Sequence, residues 1–303
     1  MKKIFLVALL AVICVCSTQA CEICGCGLNN YYIGMMPQFS HKFFGVRYQV
    51  RNFHTVIAND PSQFSNDHFQ TVELWGGWNI GKKWQVIALL PYNFIHQVSD
   101  DGTTNNQGIG DVAIMVNHKI FDKYSSTRNR KLINQQLWVG IGIKLPTGKF
   151  NVDASDPGLV ALANTQTGSS STDFMVNAMY NIKVDKLGVN TGASYKINTS
   201  NKDNYTFGNK FSANSIAYYS FQPKTIGITP NLGVMYESTS SNKLLKEKVA
   251  QTGGYALNAA AGMEFNIKKF TIGGNLQLPL CHNFSDGQTK QKTKGMMHVT
   301  FSL

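Results

Sequence analysis

The sequence predicts an all-β fold, a closed antiparallel transmembrane β-barrel of about twelve strands. Three observations carry this expectation. Side chains alternate with a period of two over long stretches, as in strands with one apolar and one polar face. The connections alternate between short and long, as the turns and loops of outer-membrane barrels do. Only 15% of residues are charged and 11% are aromatic, whereas soluble domains carry about a quarter charged residues.

The first twenty residues have the form of a secretory signal: Lys2 and Lys3, an apolar run from Ile4 to Cys16, then Ser17-Thr18-Gln19-Ala20 before a cleavage point. That run is too short for a retained transmembrane helix, and no later stretch approaches the roughly 20 apolar residues such a helix needs. The expected organisation is a signal at 1–20, a cysteine-bearing segment at 21–42 and a barrel at 43–303. Export and a barrel together place the chain in the outer membrane of a Gram-negative bacterium.

Twelve segments show the alternation. In Asp173–Val184, Phe174, Val176, Ala178, Tyr180 and Ile182 lie opposite Asp173, Met175, Asn177, Met179, Asn181 and Lys183. A helix could not gather either set on one face. The other segments start near Phe43, Phe69, Trp84, Gly108, Gln135, Lys186, Phe207, Thr225, Tyr255, Phe270 and Lys294. Each runs about 10–14 residues, enough to cross a tilted hydrocarbon layer and longer than the usual 5–6 residues of a globular strand. Tight turns are expected at 81–83, 184–186, 222–224 and 268–269. Long outer loops are expected at 54–68, 98–107, 147–172, 199–206, 238–254 and 282–293. The polar connection 121–134 falls where a short turn belongs, so it is an enlarged inner turn or an error of counting.

The formal net charge of +11 falls to +9 when Lys2 and Lys3 leave. No basic run interleaved with aromatics is present, which argues against nucleic acid and toward outer-membrane lipid headgroups as partners. The final segment, Gly295–Leu303, ends on alternating Val299, Phe301 and Leu303, a strand of the kind that barrel-insertion machinery reads. Parity turns Arg47, Arg51, Lys119, Lys144, Lys183, Lys196 and Lys210 toward the lumen, together with Glu73, Asp111, Asp173, Glu237 and Glu264. Such a lining is expected to form ion-pair ladders around a weakly anion-favouring passage.

Gly108-Ile109-Gly110-Asp111-Val112 opening one strand, Leu145-Pro146-Thr147-Gly148 closing the next, and Leu90-Pro91-Tyr92 ending the third resemble a known family. These are the outer-membrane barrels named for the meta-pathway of phenol degradation. The resemblance covers residues 43 to 303 and implies a porin-like carrier for hydrophobic or aromatic small molecules. Read physically, the glycines permit a tight course at the rim, and Pro146 ends a strand where no ladder donor is needed.

Cys21-Glu22-Ile23-Cys24-Gly25-Cys26 begins the mature chain. Three readings stand beside one another: disulfides in an oxidising compartment, with Cys281 as a further partner; a copper or zinc site of Cys21, Cys24 and Cys26, with Met35, Met36 and His41 nearby; and lipidation of Cys21. Cys281 falls on the lumen-facing parity, so it meets this segment only if residues 21–42 thread the lumen as a plug. Catalysis is not expected. The outward candidates His118 and Ser215 lie on separate strands, and nothing forms a nucleophile elbow or carboxylate pair. The sequence therefore points to passage of a small solute, with a metal-associated protein anchored by a barrel, or an adhesion protein, as alternatives.

Overall fold

The computed structural model describes residues 42–57, 60–126, 130–151, 163–223 and 226–303. Its architecture is a closed antiparallel barrel. The strands in chain order are β1 (Phe43–Ile57), β2 (Asp60–Ile80), β3 (Trp84–Ser99), β4 (Gly102–Ile109), β5 (Ala113–Ser126), β6 (Leu132–Lys144), β7 (Asp173–Val184) and β8 (Leu187–Ile197). They continue as β9 (Tyr205–Thr206), β10 (Lys210–Tyr219), β11 (Ile226–Thr239), β12 (Lys243–Leu244), β13 (Glu247–Lys248), β14 (Gly254–Ile267), β15 (Phe270–Phe284) and β16 (Thr289–Ser302).

The barrel is a meander in which each long strand pairs with the next, and β1 closes on β16 from Phe43 opposite Ser302 to Thr55 opposite Thr289. The chain enters and leaves at one end, where the Leu303 amide donates to the Lys42 carbonyl at 2.9 Å. Because the wall is closed, its backbone donors have ladder partners and no edge faces lipid. β4 and β5 count as one strand with a break. β4 pairs with the outer half of β3, at Tyr92–Ser99, and β5 with its inner half, at Trp84–Leu89. Among the described residues the wall therefore has twelve strands.

Alternation sorts the side chains as the period demands. On β1, Phe43, Arg47, Arg51, Phe53 and Thr55 are buried, while Phe44, Val46 and Tyr48 are exposed on the lipid face. Phe44, Trp78, Trp84, Phe270 and Leu303 crowd the end with the short turns, and Lys42 sits over the Trp78 ring at 4.0 Å. This is the aromatic girdle expected at a membrane interface.

Four expectations change. Residues 54–68 are mostly strand, because β1 and β2 run on as a hairpin beyond the membrane band. Residues 98–107 do the same, with β3 reaching Ser99 and β4 resuming at Gly102. The anomalous 121–134 is likewise ladder: β5 reaches Ser126 and β6 starts at Leu132, with a bulge between Lys119 and Phe121. It is an extended inner hairpin, and the strand count stands. Finally, a bulge in β15 pairs Asn258 with Pro279 but Leu257 with Cys281. The extra residue flips the parity, so Cys281 is exposed on the outward face, not in the lumen. The signal, Cys21, Cys24, Cys26, Met35, Met36 and His41 lie outside the described residues.

The outer loops build structure of their own. β9, β12 and β13 form a small three-stranded sheet. Beneath it Phe150, Ala163 and Tyr205 are buried against Phe207, Leu244 and Val249. The loop that follows β6 thus shares a core with the next two outer loops, those between β8 and β10 and between β11 and β14.

Candidate functional site

The lumen is the concave interior, and its walls differ. Against β1 to β7 lies an apolar cluster of Phe43, Trp75, Ile87, Leu89, Ala113, Met115, Trp138 and Met175. Trp75, which parity turns inward, packs edge-on against Phe43 at 4.8 Å, with the Arg47 guanidinium 5.1 Å from its ring. The opposite wall is polar but mostly uncharged. Asn177, Asn190, Asn214, Asn258 and Gln277 line a cavity of about 80 Å³, which the charged Arg51, Glu237 and Lys294 also border. A single water needs about 10–15 Å³ on that measure, so this space suits a few waters or part of a small solute.

The charged lining is paired. Arg47 donates to Glu73, and His298 Nε2 lies 3.0 Å from Glu264. The register sets Glu264, Gly273, His298, Arg47 and Glu73 at successive strands, so these groups form a belt at one level. Further out, Glu237 takes Lys294 and also Lys210, at 3.0 Å, with Arg51 buried on the neighbouring strand. Lys294 and His298 were missed by the sequence reading. Both share the inward parity of Thr300, opposite exposed Val299 and Met297, so the alternation of β16 carried the signal; the bulge between Arg51 and Phe53 reverses parity only beyond Lys294, at Gln291 and Thr289.

The third ionic group holds the inward loop. Lys144 Nζ lies 2.7 Å from Asp111 and 2.6 Å from Asp173, and Lys196 is 3.8 Å from Asp173. Residues 165–171 fold against this cluster. The Ser169 amide and hydroxyl donate to Asp111 Oδ2 at 3.0 and 2.7 Å. Asn93 and Asn106 donate to the carbonyls of Thr167 and Thr165, both at 2.9 Å. Ser171 donates to Asp173 at 2.9 Å, and Asn201 to the Ser169 carbonyl at 3.2 Å. Buried charges are stable only when paired and hydrogen-bonded, and this loop supplies the remaining bonds. It packs against inward-facing groups at the outer ends of β3, β4 and β7 and against Asp111.

The three sequence motifs meet at its root. The Gly110 amide donates to the Pro91 carbonyl at 2.8 Å. Thr147 Oγ1 donates to the Gly110 carbonyl at 2.8 Å and accepts from the Val112 amide at 2.9 Å. Gly148 donates its amide to Asp111 Oδ1 at 3.0 Å. Motifs separated in sequence thus serve one device, the break between β4 and β5 together with the loop it anchors. His118 stacks on Trp84 at 4.3 Å and Ser215 meets Thr191 at 3.2 Å, so the outward pair considered for catalysis is not brought together.

Comparison with known proteins agrees with this geometry. The family model described as the MetA-pathway of phenol degradation matches residues 50–279. The chain belongs to this family. Its match begins on β1 and ends on β15, so the family covers nearly the whole barrel, including all three motifs. Among solved structures, the COG4313 outer membrane channel from Pseudomonas putida F1 superimposes with a TM-score of 0.63 at 14% identity, covering 89% of this chain and 100% of that one. At that identity the likeness shows the fold, which is that of an outer-membrane channel. The β domain of the Bordetella autotransporter BrkA follows at a TM-score of 0.49 and 9% identity, covering 87% of this chain and 100% of that one. No curated protein matches the chain significantly.

Proposed function

We propose that this barrel passes a small aromatic or otherwise apolar solute across the outer membrane. The observation that carries the reading is the apolar wall inside the lumen. A general porin has a polar, water-filled interior, yet here Phe43, Trp75, Trp138, Met115 and Met175 are buried inward. Thioether and aromatic side chains offer favourable contacts to a π-system. The amide-rich wall opposite supplies neutral hydrogen-bond partners for a hydroxyl or carboxylate substituent. This division of labour, apolar lining with a few polar groups, is that of a small-molecule site.

The test compares labelled benzoate and labelled acetate entering proteoliposomes, with protein-free liposomes as baseline. Both are monoanions, so charge does not distinguish them. The reading expects benzoate to be favoured despite its size, and the Trp138→Ala substitution to reduce that preference. Acetate entering faster, in both wild type and variant, would mark a simple size sieve and overturn the reading.

A further inference from the structure

The outer hairpins carry a group of side chains that the lumen does not use. His54, His68 and His96 lie on the outward faces of β1, β2 and β3, above the apolar band that ends at Tyr92 and Phe94. The register sets His68 directly opposite Asn52 on one side and His96 on the other, and His96 opposite Asn105. His54 lies opposite Asn66, one diagonal step away. His68 and His96 are both exposed.

Each ring is oriented in the same way. His54 Nδ1 meets Asn66 Oδ1 at 2.9 Å, His68 Nδ1 meets Asn52 Oδ1 at 3.0 Å, and His96 Nδ1 meets Asn105 Oδ1 at 2.7 Å. An amide oxygen only accepts. Each Nδ1 therefore carries a hydrogen, which in the neutral ring leaves the lone pair on Nε2. A hydrogen bond on the far nitrogen that fixes tautomer and orientation is the usual support of a metal-binding imidazole.

The His68 and His96 ring centres stand 5.9 Å apart with planes inclined by 30°. With metal–nitrogen bonds of about 2.1 Å, two imidazoles sharing one ion place their ring centres roughly 5–6 Å apart. The pair opens onto a surface cavity whose other walls include Gln70, Asn105, Asn106 and Gln107, leaving room for water ligands.

We propose that His68 and His96 form an exposed site for a divalent transition metal ion, Cu²⁺, Ni²⁺ or Zn²⁺, held through both Nε2 atoms. Imidazole suits these ions, whereas Ca²⁺ and Mg²⁺ prefer oxygen. No preformed group of three ligands occurs among the described residues, so water completes the coordination and exchange is fast. The site lies on the outer face, remote from the start of β1 where the cysteine-bearing segment joins. It captures an ion from outside and does not stabilise the barrel.

The experiment uses the full-length mature chain in detergent, stripped of metal, with thiols reduced and alkylated so that cysteines do not contribute. Cu²⁺ alone and Zn²⁺ alone are titrated by calorimetry, and the Cu²⁺ form is examined by electron paramagnetic resonance. Expected are one equivalent bound and hyperfine structure from two nitrogens. His68→Asn or His96→Asn should each weaken binding at least tenfold, and His54→Asn, or His282→Asn on the distant β15, less than threefold. Heat-modifiable gel migration confirms that each variant remains a barrel. Binding by the His68→Asn/His96→Asn double variant equal to wild type, or no Cu²⁺ binding by wild type, overturns the proposal.

Discussion

Gly168 and Gly148 are in such close contact that neither has room for a side chain. A Cβ on Gly168 would fall 2.4 Å from the Gly148 carbonyl carbon and 2.5 Å from its Cα. Backbone on both sides leaves nothing flexible to yield. The Gly168→Val substitution should therefore lift residues 165–171 off Asp111 while leaving the strands intact. Planar-bilayer recordings should then show a several-fold higher conductance with an unchanged circular-dichroism spectrum; equal conductance would mean that this loop does not limit the passage. Asp111 is the counterpart on the wall. It accepts from Lys144, the Gly148 amide, and the amide and hydroxyl of Ser169. Its residue type and inward parity were legible in the sequence, as were those of Lys144, but its partners Gly148 and Ser169 were not, because they come from a loop without periodicity.

At the level of elements, the alternation located the barrel strands well and their ends poorly. β3 and β7 start where the pattern starts, at Trp84 and Asp173, and β8 starts one residue after the expected Lys186. β2 begins nine residues before the expected Phe69, since a hairpin outside lipid has no need of an apolar face and its polar residues resemble a loop. Bulges escaped as well. One extra residue in β15 reverses the face of Cys281, and period-two reasoning contains no marker for it. The break between β4 and β5 was legible only as glycines. Its meaning lies in Thr147, whose hydroxyl bridges Gly110 and Val112. Thr147→Val keeps the shape and removes both bonds, at a net cost of about 0.5–1.5 kcal/mol each. Urea unfolding of the refolded barrel in lipid vesicles should show a loss of that order, with Thr147→Ser close to wild type. A Val variant as stable as wild type would assign the break to the glycines alone.

Across the whole molecule, the charges that face the lumen are arranged to cancel. Arg47 with Glu73, His298 with Glu264, Lys210 and Lys294 with Glu237, and Lys144 with Asp111 and Asp173 leave little uncompensated field. Selectivity by sign should accordingly be weak, and sensitive to single substitutions. Replacing Arg47 and Arg51 with Gln removes two cations and leaves Glu73 without its partner. The reversal potential across a KCl gradient should move toward cation preference; an unmoved potential would show that ions do not pass this belt.

The seam between β1 and β16 joins the first barrel residues to the last. Contacts between the most distant parts of a chain are the slowest to form, and this one cannot begin until translation and export are complete. Until then ten intermediate strands can pair while the two outer ones present unsatisfied backbone, a state that lipid does not tolerate and that invites pairing with other chains. A nascent barrel of this topology consequently keeps two open edges until Gly295–Ser302 pairs with Phe43–Val50, the latch that ends the wait.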